Sequence, residues 1–204
     1  RITFLNGQGA SGCVQGSTTG DSVTSIRSVY GNGPGAQTTG VDLDATYSFA
    51  ALGGEFTAGF QGTRVLSYEI EAFSLNGIEL AAAVDGLGYA NYGNSADVVS
   101  EWRTNTSLNY ANGNHNLRYV YRFIQGVEDE RFDAGEAGRE IDDFATHNLY
   151  YNYTLPWDEN FIISLAIDNV TDEDPPFTQQ QYSYDPFIGN ALGRTYKIGL
   201  RKTF

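Results

Sequence analysis

The chain ends with the sequence GRTYKIGLRKTF, residues 193–204, and this stretch decides the fold class. From Tyr196 onwards, its even positions are mostly apolar or aromatic, while its odd positions are polar, basic or small. Successive side chains of a β-strand point to opposite faces, so the stretch predicts a strand with one apolar face. Two earlier stretches repeat the alternation, LYYNYTL at 149–155 and FIISLAID at 161–168. The C-terminal part of the chain is therefore predicted to be three consecutive strands.

The connections between the predicted strands alternate in length. Short turns lie at 51–54, 111–114 and 156–159, whereas long polar loops lie at 5–22, 73–100, 127–143 and 171–191. Short turns at one end, long loops at the other and an aromatic apolar face are typical of outer-membrane barrels. The sequence predicts an all-β fold, an antiparallel transmembrane β-barrel, with seven full strands and the tail of an eighth at 1–4. One of these strands, 23–49, is broken by a Gly-rich segment at 31–35.

Four segments resemble those of TonB-dependent outer-membrane receptors. They are QTTGVDL at 37–43, IDNVTDEDPPF at 167–177, YDPF at 184–187 and the terminal GRTYKIGLRKTF. The resemblance implies that residues 1–204 are the last seven to eight strands of a barrel of about 22 strands, with a plug domain and earlier strands preceding them. It also implies an outer-membrane assembly signal, read by the barrel-assembly machinery, at Tyr196, Ile198, Gly199, Leu200 and Phe204. Lys202 departs from the family, which often has an aromatic residue there.

The same resemblance implies a function. It predicts a receptor in the outer membrane of a Gram-negative bacterium that takes up a scarce nutrient, energised by the TonB complex and without a cofactor. The expected ligand is an iron-siderophore complex, vitamin B12 or an oligosaccharide. The alternatives are a complete eight-stranded barrel with a structural or adhesive role, an outer-membrane hydrolase and a soluble β-sandwich.

Charge and composition narrow the function classes. The formal net charge is −13, and an acidic chain repels nucleic-acid backbones. No apolar run reaches eighteen residues, so no transmembrane helix is predicted. Cys13 is the single cysteine, so it has no partner for a disulfide within the sequence.

The inward-pointing positions of the predicted strands carry a set of basic side chains. These plug-facing lumen residues are Arg103, Arg118, Arg122, Lys197 and Arg201. Buried charges need partners, and carboxylates of the plug would supply them through charge-assisted hydrogen bonds; the alternative is that these side chains merely line water. The outward aromatics Trp102, Tyr110, Tyr153, Trp157 and Phe204 are interpreted as interfacial belts. Tyr182, Tyr184 and Phe187 are candidate extracellular ligand contacts.

Two further features of the sequence bear on catalysis and metal binding. A hydrolase would need a nucleophile beside a base, and only His147 lies at the correct end of a strand, where a polar rim histidine is the simpler interpretation. Eight carboxylates between residues 128 and 143 could bind Ca²⁺, but their spacing matches no calcium loop, and we expect a solvated, mutually repelling loop there. No metal site is predicted.

Overall fold

The computed structural model describes residues 2–4, 23–26, 33–75, 77–90 and 98–204, and they fall into two units, 1–34 and 35–204. The first unit contains an antiparallel pair, β1 (Ile2–Phe4) and β2 (Val23–Ile26). Cys13, the predicted loop at 5–22 and most of the Gly-rich break lie outside the described residues. Among the described residues, no helix is long and apolar enough to cross a membrane.

The second unit is built on one antiparallel sheet. Its seven long strands pair in the order β15-β14-β13-β10-β9-β4-β3. They are β3 (Ala36–Ala51), β4 (Gly54–Ile70), β9 (Trp102–Asn112), β10 (His115–Ile124), β13 (Phe144–Leu155), β14 (Asp158–Asp168) and β15 (Thr195–Lys202). The prediction of seven long strands is confirmed, but the predicted strand at 23–49 is not a single strand, because β2 pairs with β1 in the other unit and β3 begins at Ala36. Within the described part of the chain, β3 and β15 each pair on one side only, so the sheet is open.

Tight turns join the strands at one end of the sheet. At the β3–β4 turn, Leu52 and Gly53 both have positive φ values, of 52° and 76°. Two central residues with positive φ are characteristic of the hairpin turn whose twist matches that of the strands, and glycine adopts this conformation without strain. Gly113 has a φ of 54° in the corresponding β9–β10 turn.

The register separates the side chains into two faces. One row runs across all seven strands with apolar or aromatic residues only: Phe49, Phe56, Tyr110, Leu117, Tyr151, Leu165 and Ile198. The adjacent row on the opposite face reads Ser48, Thr57, Asn109, Arg118, Tyr150, Ala166 and Lys197. Since the side-chain period of a strand is two, a slip of one residue would exchange these rows.

Short strands fill two stretches that the sequence predicted to be loops. They are β5 (Phe73–Leu75), β6 (Ile78–Ala81), β7 (Val84–Asp85), β8 (Tyr89–Ala90), β11 (Val127–Asp129) and β12 (Glu140–Ile141). β5 and β6 form a hairpin, β7 pairs antiparallel with the end of β4, and β11 pairs with both β8 and β12. The prediction of one long loop at 73–100 was therefore incomplete, because strands of two to four residues carry too little alternation to be recognised.

The expectation of a solvated acidic loop at 128–143 is confirmed for six of its eight carboxylates, which are exposed, but the expected mutual repulsion was wrong. Asp129 is fully buried, and Arg131 holds it through an ion pair with 2.8 Å between Nη2 and Oδ2. Arg139 pairs with Glu128 at 2.7 Å and with Glu130 at 3.3 Å. Two arginines inside the acidic stretch thus offset the repulsion between its carboxylates, and the stretch folds as part of the β8-β11-β12 sheet.

Candidate functional site

The polar face of the sheet encloses a cavity of about 810 Å³. Side chains from β3, β4, β9, β10, β13 and β14 line it, so the sheet curves towards this face. Amides, hydroxyls and charges dominate the lining, which includes Asp44, Gln61, Asn105, Arg118, Arg122 and Tyr150. A wall of this kind can hold a polar partner or water, and it is the candidate functional site.

Asp168 joins three strands at one side of the polar face. Its two carboxylate oxygens accept hydrogen bonds from the Tyr150 hydroxyl and from Lys197 Nζ, each at 2.7 Å. Charge-assisted bonds of this kind fix side-chain positions as well as adding energy. Lys197, one of the predicted plug-facing residues, therefore already has a partner within this chain.

The other predicted plug-facing residues differ in their surroundings. Among the described residues, Arg118, Arg122 and Arg201 are exposed and make no ion pair or hydrogen bond. Arg103 lies closer to the loop end of β9, and its Nη2 donates to the Val98 carbonyl at 3.4 Å. The structure thus leaves Arg118 and Arg122 together in the cavity wall, with Arg103 at its margin.

Two carboxylates lie on the same face at the β3 edge. Thr63 donates its hydroxyl to Asp42 at 2.6 Å, and Gln61 donates its side-chain amide to Asp44 at 2.7 Å. Both donors are uncharged, so the negative charges of these two carboxylates remain. Asp42 and Asp44 were not among the predicted site residues, although counting residues through the turns places them on the same face as Arg118 and Arg122.

The apolar face carries aromatic groups at two levels. Near the turns, Phe56 packs on Phe49 and on Tyr110, with ring centroids 5.3 Å and 4.5 Å apart. Near the loops, the Arg64 guanidinium lies over the Trp102 ring, 5.2 Å from its centroid. Tyr110 and Trp102 are eight residues apart on β9, about 27 Å along the strand or about 21 Å along a barrel axis at a tilt of about 40°. This separation is close to the height of the apolar band of an outer-membrane barrel, about 25 Å.

A family model described as TonB dependent receptor-like, beta-barrel matches residues 1–170. This match covers most of the chain. The chain belongs to this family. No curated protein and no solved structure matches the chain.

Membership of the TonB-dependent receptor-like β-barrel family indicates the membrane in which such a sheet lies and the class of protein to which it belongs. The family implies the Gram-negative outer membrane, and its members are transporters, not enzymes. The match ends at residue 170, so it includes β3 to β14 and the segment at 37–43 that carried part of the resemblance. The motifs at 184–187 and 193–204 lie beyond the matched residues, and the first third of the motif at 167–177 lies within them.

The last strand of this receptor barrel presents the predicted assembly signal. Tyr196, Ile198, Leu200 and Phe204 are exposed, and Gly199 lies between them opposite Ser164. Lys202 forms an ion pair with Asp158, and its Nζ lies 5.9 Å from the centroid of the Phe204 ring. The position at which the sequence departs from the family is therefore tied to the neighbouring strand. Recognition by the assembly machinery stays a prediction.

The predicted ligand contacts lie in the folded loop between β14 and β15. Asp185 is buried and accepts hydrogen bonds from Gln180 Nε2 at 2.7 Å and from the Phe187 amide at 2.8 Å. Tyr182 and Phe187 are exposed, whereas Tyr184 is half-buried with its ring centroid 6.3 Å from that of Tyr182. The loop holds these aromatics at defined positions, and their contact with a ligand stays a prediction.

One apolar cluster joins this loop to two other loop regions. Its members are the most completely buried apolar side chains of several segments: Ala90, Val98, Val127, Ile141, Phe144 and Ile188. Next to it, the hydrogen bond from Arg139 to Glu128 raises the pKa of Arg139 above its ordinary value. The loops of this receptor barrel are thus packed on one another. Sequence reasoning missed the cluster because its members are far apart in the chain.

The two histidines lie on the apolar face. His147 Nδ1 is 2.6 Å from the Tyr119 hydroxyl, and His115 Nδ1 is 2.6 Å from the Tyr151 hydroxyl. In the part of the chain that the structure describes, no three His, Cys, Asp or Glu side chains converge to hold a metal ion. His147 is therefore satisfied by an aromatic neighbour, as expected for a polar residue at the rim.

Proposed function

We propose that the chain forms the C-terminal part of the barrel of an outer-membrane receptor for active uptake of a scarce nutrient. The observation that supports this most directly is the separation of the two faces. One face offers an unbroken apolar row across seven strands, and the other offers a polar wall with a cavity. In a barrel of this family, the first face contacts lipid and the second faces the lumen.

The open edges of the sheet support a larger barrel. β3 and β15 are edge strands of sixteen and eight residues. Unpaired backbone groups cannot be left facing hydrocarbon, so further strands must pair with both edges in the membrane. The alternative is a complete eight-stranded barrel, and the family match over residues 1–170 favours a receptor barrel of more strands. The larger barrel is the better account.

Arg118 and Arg122 are proposed to dock the plug that would fill this lumen. Neither arginine has an ion pair or a hydrogen bond within the described residues, although both line the cavity. When a plug excludes water, guanidinium groups without partners become costly, and carboxylates of the plug would satisfy them. Arg103, Lys197 and Arg201 would have smaller roles, because the first two already donate to groups of this chain.

The conductance of the reconstituted full-length receptor tests this docking. We expect R118A/R122A to leak ions where the wild type is closed. N116A, an uncharged change in the same cavity wall, is the matched control and should remain closed. A double variant as silent as the wild type would remove the docking role.

Uptake by intact cells tests the function itself. Labelled ferric siderophores, vitamin B12 and oligosaccharides would be offered to cells that express the full-length receptor, with and without TonB. We expect saturable uptake of one ligand, lost when either the receptor or TonB is removed. Uptake that persists without TonB would indicate a passive channel and contradict the proposal.

A further inference from the structure

Charges of opposite sign occupy opposite parts of the polar face. Asp42 and Asp44 lie on β3, whereas Arg103 lies on β9 and Arg122 lies on β10. Two rows of the register connect them. One runs from Asp42 through Thr63 to Arg103, and the next runs from Asp44 through Gln61 and Asn105 to Arg122. The polar face is therefore acidic towards β3 and basic towards β9 and β10 at two successive levels.

These charges are too far apart to neutralise one another directly. Neighbouring strands are about 4.8 Å apart. Asp42 and Arg103 are two strand intervals apart, about 10 Å, and Asp44 and Arg122 are three intervals apart, about 14 Å. Uncharged residues fill the space between them, and they donate hydrogen bonds to the carboxylates without removing their charge. Both signs of charge thus remain available to a partner that lies across the face.

We propose that the plug surface against this wall carries the reverse order of charge, with basic side chains facing β3 and carboxylates facing β9 and β10. This inference rests on the proposed function, because it takes the plug to be the occupant of the lumen. The order of charge then fixes the rotation of the plug, since a rotated plug would bring like charges together. The same order of charge predicts that the plug residues nearest Asp42 and Asp44 are Lys or Arg.

The pattern fits a protein surface better than a transported ligand. Two levels of paired charge lie about 7 Å apart along the strands, the distance of two residues. A rigid surface can match both levels simultaneously. A ligand that must leave the lumen would be retained by four ionic contacts, which opposes release.

Conductance of the full-length receptor in planar bilayers measures how well the plug is held. We expect D42N/D44N to leak about tenfold more than the wild type at about 0.1 M salt, where the Debye length of about 10 Å leaves such charges much less screened than at about 1 M. The asparagine oxygens still accept from Thr63 and Gln61, so the sheet itself is preserved. The control T46A/S48A changes the same face of the same strand without altering charge and should leave conductance unchanged.

A charge exchange separates the order of charge from the net charge. The variant D42K/D44K/R103E/R122E keeps the net charge of the wild type but reverses the order at both levels. We expect it to leak more than the neutral variant D42N/D44N/R103Q/R122Q, because like charges then face each other. Equal leakage of the two would overturn the proposal, and D42N/D44N alone decides the matter if the exchanged barrel does not assemble.

The outcomes distinguish this inference from the proposed function. If D42N/D44N leaks no more ions than the wild type but has a raised KM for TonB-dependent uptake, the two carboxylates contact the ligand, and their role in docking the plug is overturned. If D42N/D44N has neither an increased ion leak nor a change in uptake, the inference is overturned, and the proposed function is unaffected. Loss of TonB dependence in the wild type would contradict the proposed function, while the conductance of the variants would still report on the plug.

Discussion

Replacing Ile188 by alanine should open the packed loops at one end of the barrel. Ile188 is 2% exposed and contributes to a cluster with side chains from β8, β11, β12 and the start of β13. Truncating a buried isoleucine to alanine costs about 2–5 kcal/mol, depending on how far the site can collapse. Because the members of this cluster come from separate segments, each anchored to its own strands, we expect little collapse and a cost of about 3 kcal/mol.

This cost converts into a measurable exposure of the loops. A loss of about 3 kcal/mol raises the population of the open loops by about 150-fold, since each 1.4 kcal/mol is a factor of ten. Limited proteolysis of the full-length receptor in detergent follows this population when the loops open and close faster than they are cut. We therefore expect cleavage at 125–143 and 171–194 to accelerate by about two orders of magnitude.

The matched control lies in the same loop. Leu192 is 75% exposed, so L192A removes a similar side chain without creating a cavity and should be cut at the wild-type rate. Heat modifiability of the barrel should be unchanged in both variants. Cleavage of I188A at the rate of L192A would refute the claim that one apolar core joins the loops.

Three further predictions test the membrane face, a loop device and the open edges. L165R places a charge in the apolar row, so we expect it to destabilise the receptor by about 2 kcal/mol or more. S164R on the polar face should cost only about 1 kcal/mol, for the lost hydrogen bond to Asn152. Unfolding in urea from lipid vesicles measures both losses, and equal losses would contradict the register. Asn169 has a φ of 55° and exchanges two hydrogen bonds with Glu173. We therefore expect N169A to destabilise the loop by about 3 kcal/mol and N169G to destabilise it by less, because glycine adopts this φ without strain. Hydrogen exchange at 169–194 measures both, and identical protection in the two variants would show that backbone strain contributes nothing. The chain expressed alone behind a signal peptide should give no heat-modifiable, protease-resistant outer-membrane species, and a stable monomer of that kind would instead support the eight-stranded alternative.

The long strands and their two faces could be predicted because they depend on local alternation. In Phe161, Ile163 and Leu165, for example, the period of two is visible without knowing any partner strand. Pairing through short turns then follows from the chain order, which is why the confirmed sheet has neighbours in sequence as neighbours in space.

The folded loops could not be predicted because their stabilising contacts join distant residues. Ile188 packs with Ala90 and Val127, and nothing in their local sequence indicates this contact. The acidic stretch was misjudged for the same reason. Arg139 reaches Glu128 across eleven residues, a pairing that only the turn between β11 and β12 creates. Charge counted along the sequence thus overstated a repulsion that two ion-paired arginines offset.

The face of the sheet that contacts lipid decides whether this chain is the wall of a receptor barrel. Spin labels introduced singly at positions 161 to 168 of the full-length receptor, reconstituted in lipid vesicles, measure this directly through their accessibility to oxygen and to a water-soluble nickel complex. We expect oxygen accessibility to peak at positions 161, 163, 165 and 167, and nickel accessibility at those between them, because β14 presents Phe161, Ile163, Leu165 and Ile167 on the apolar face. The opposite phase, or no period of two, would contradict a lipid-facing apolar row and with it the barrel wall of a receptor.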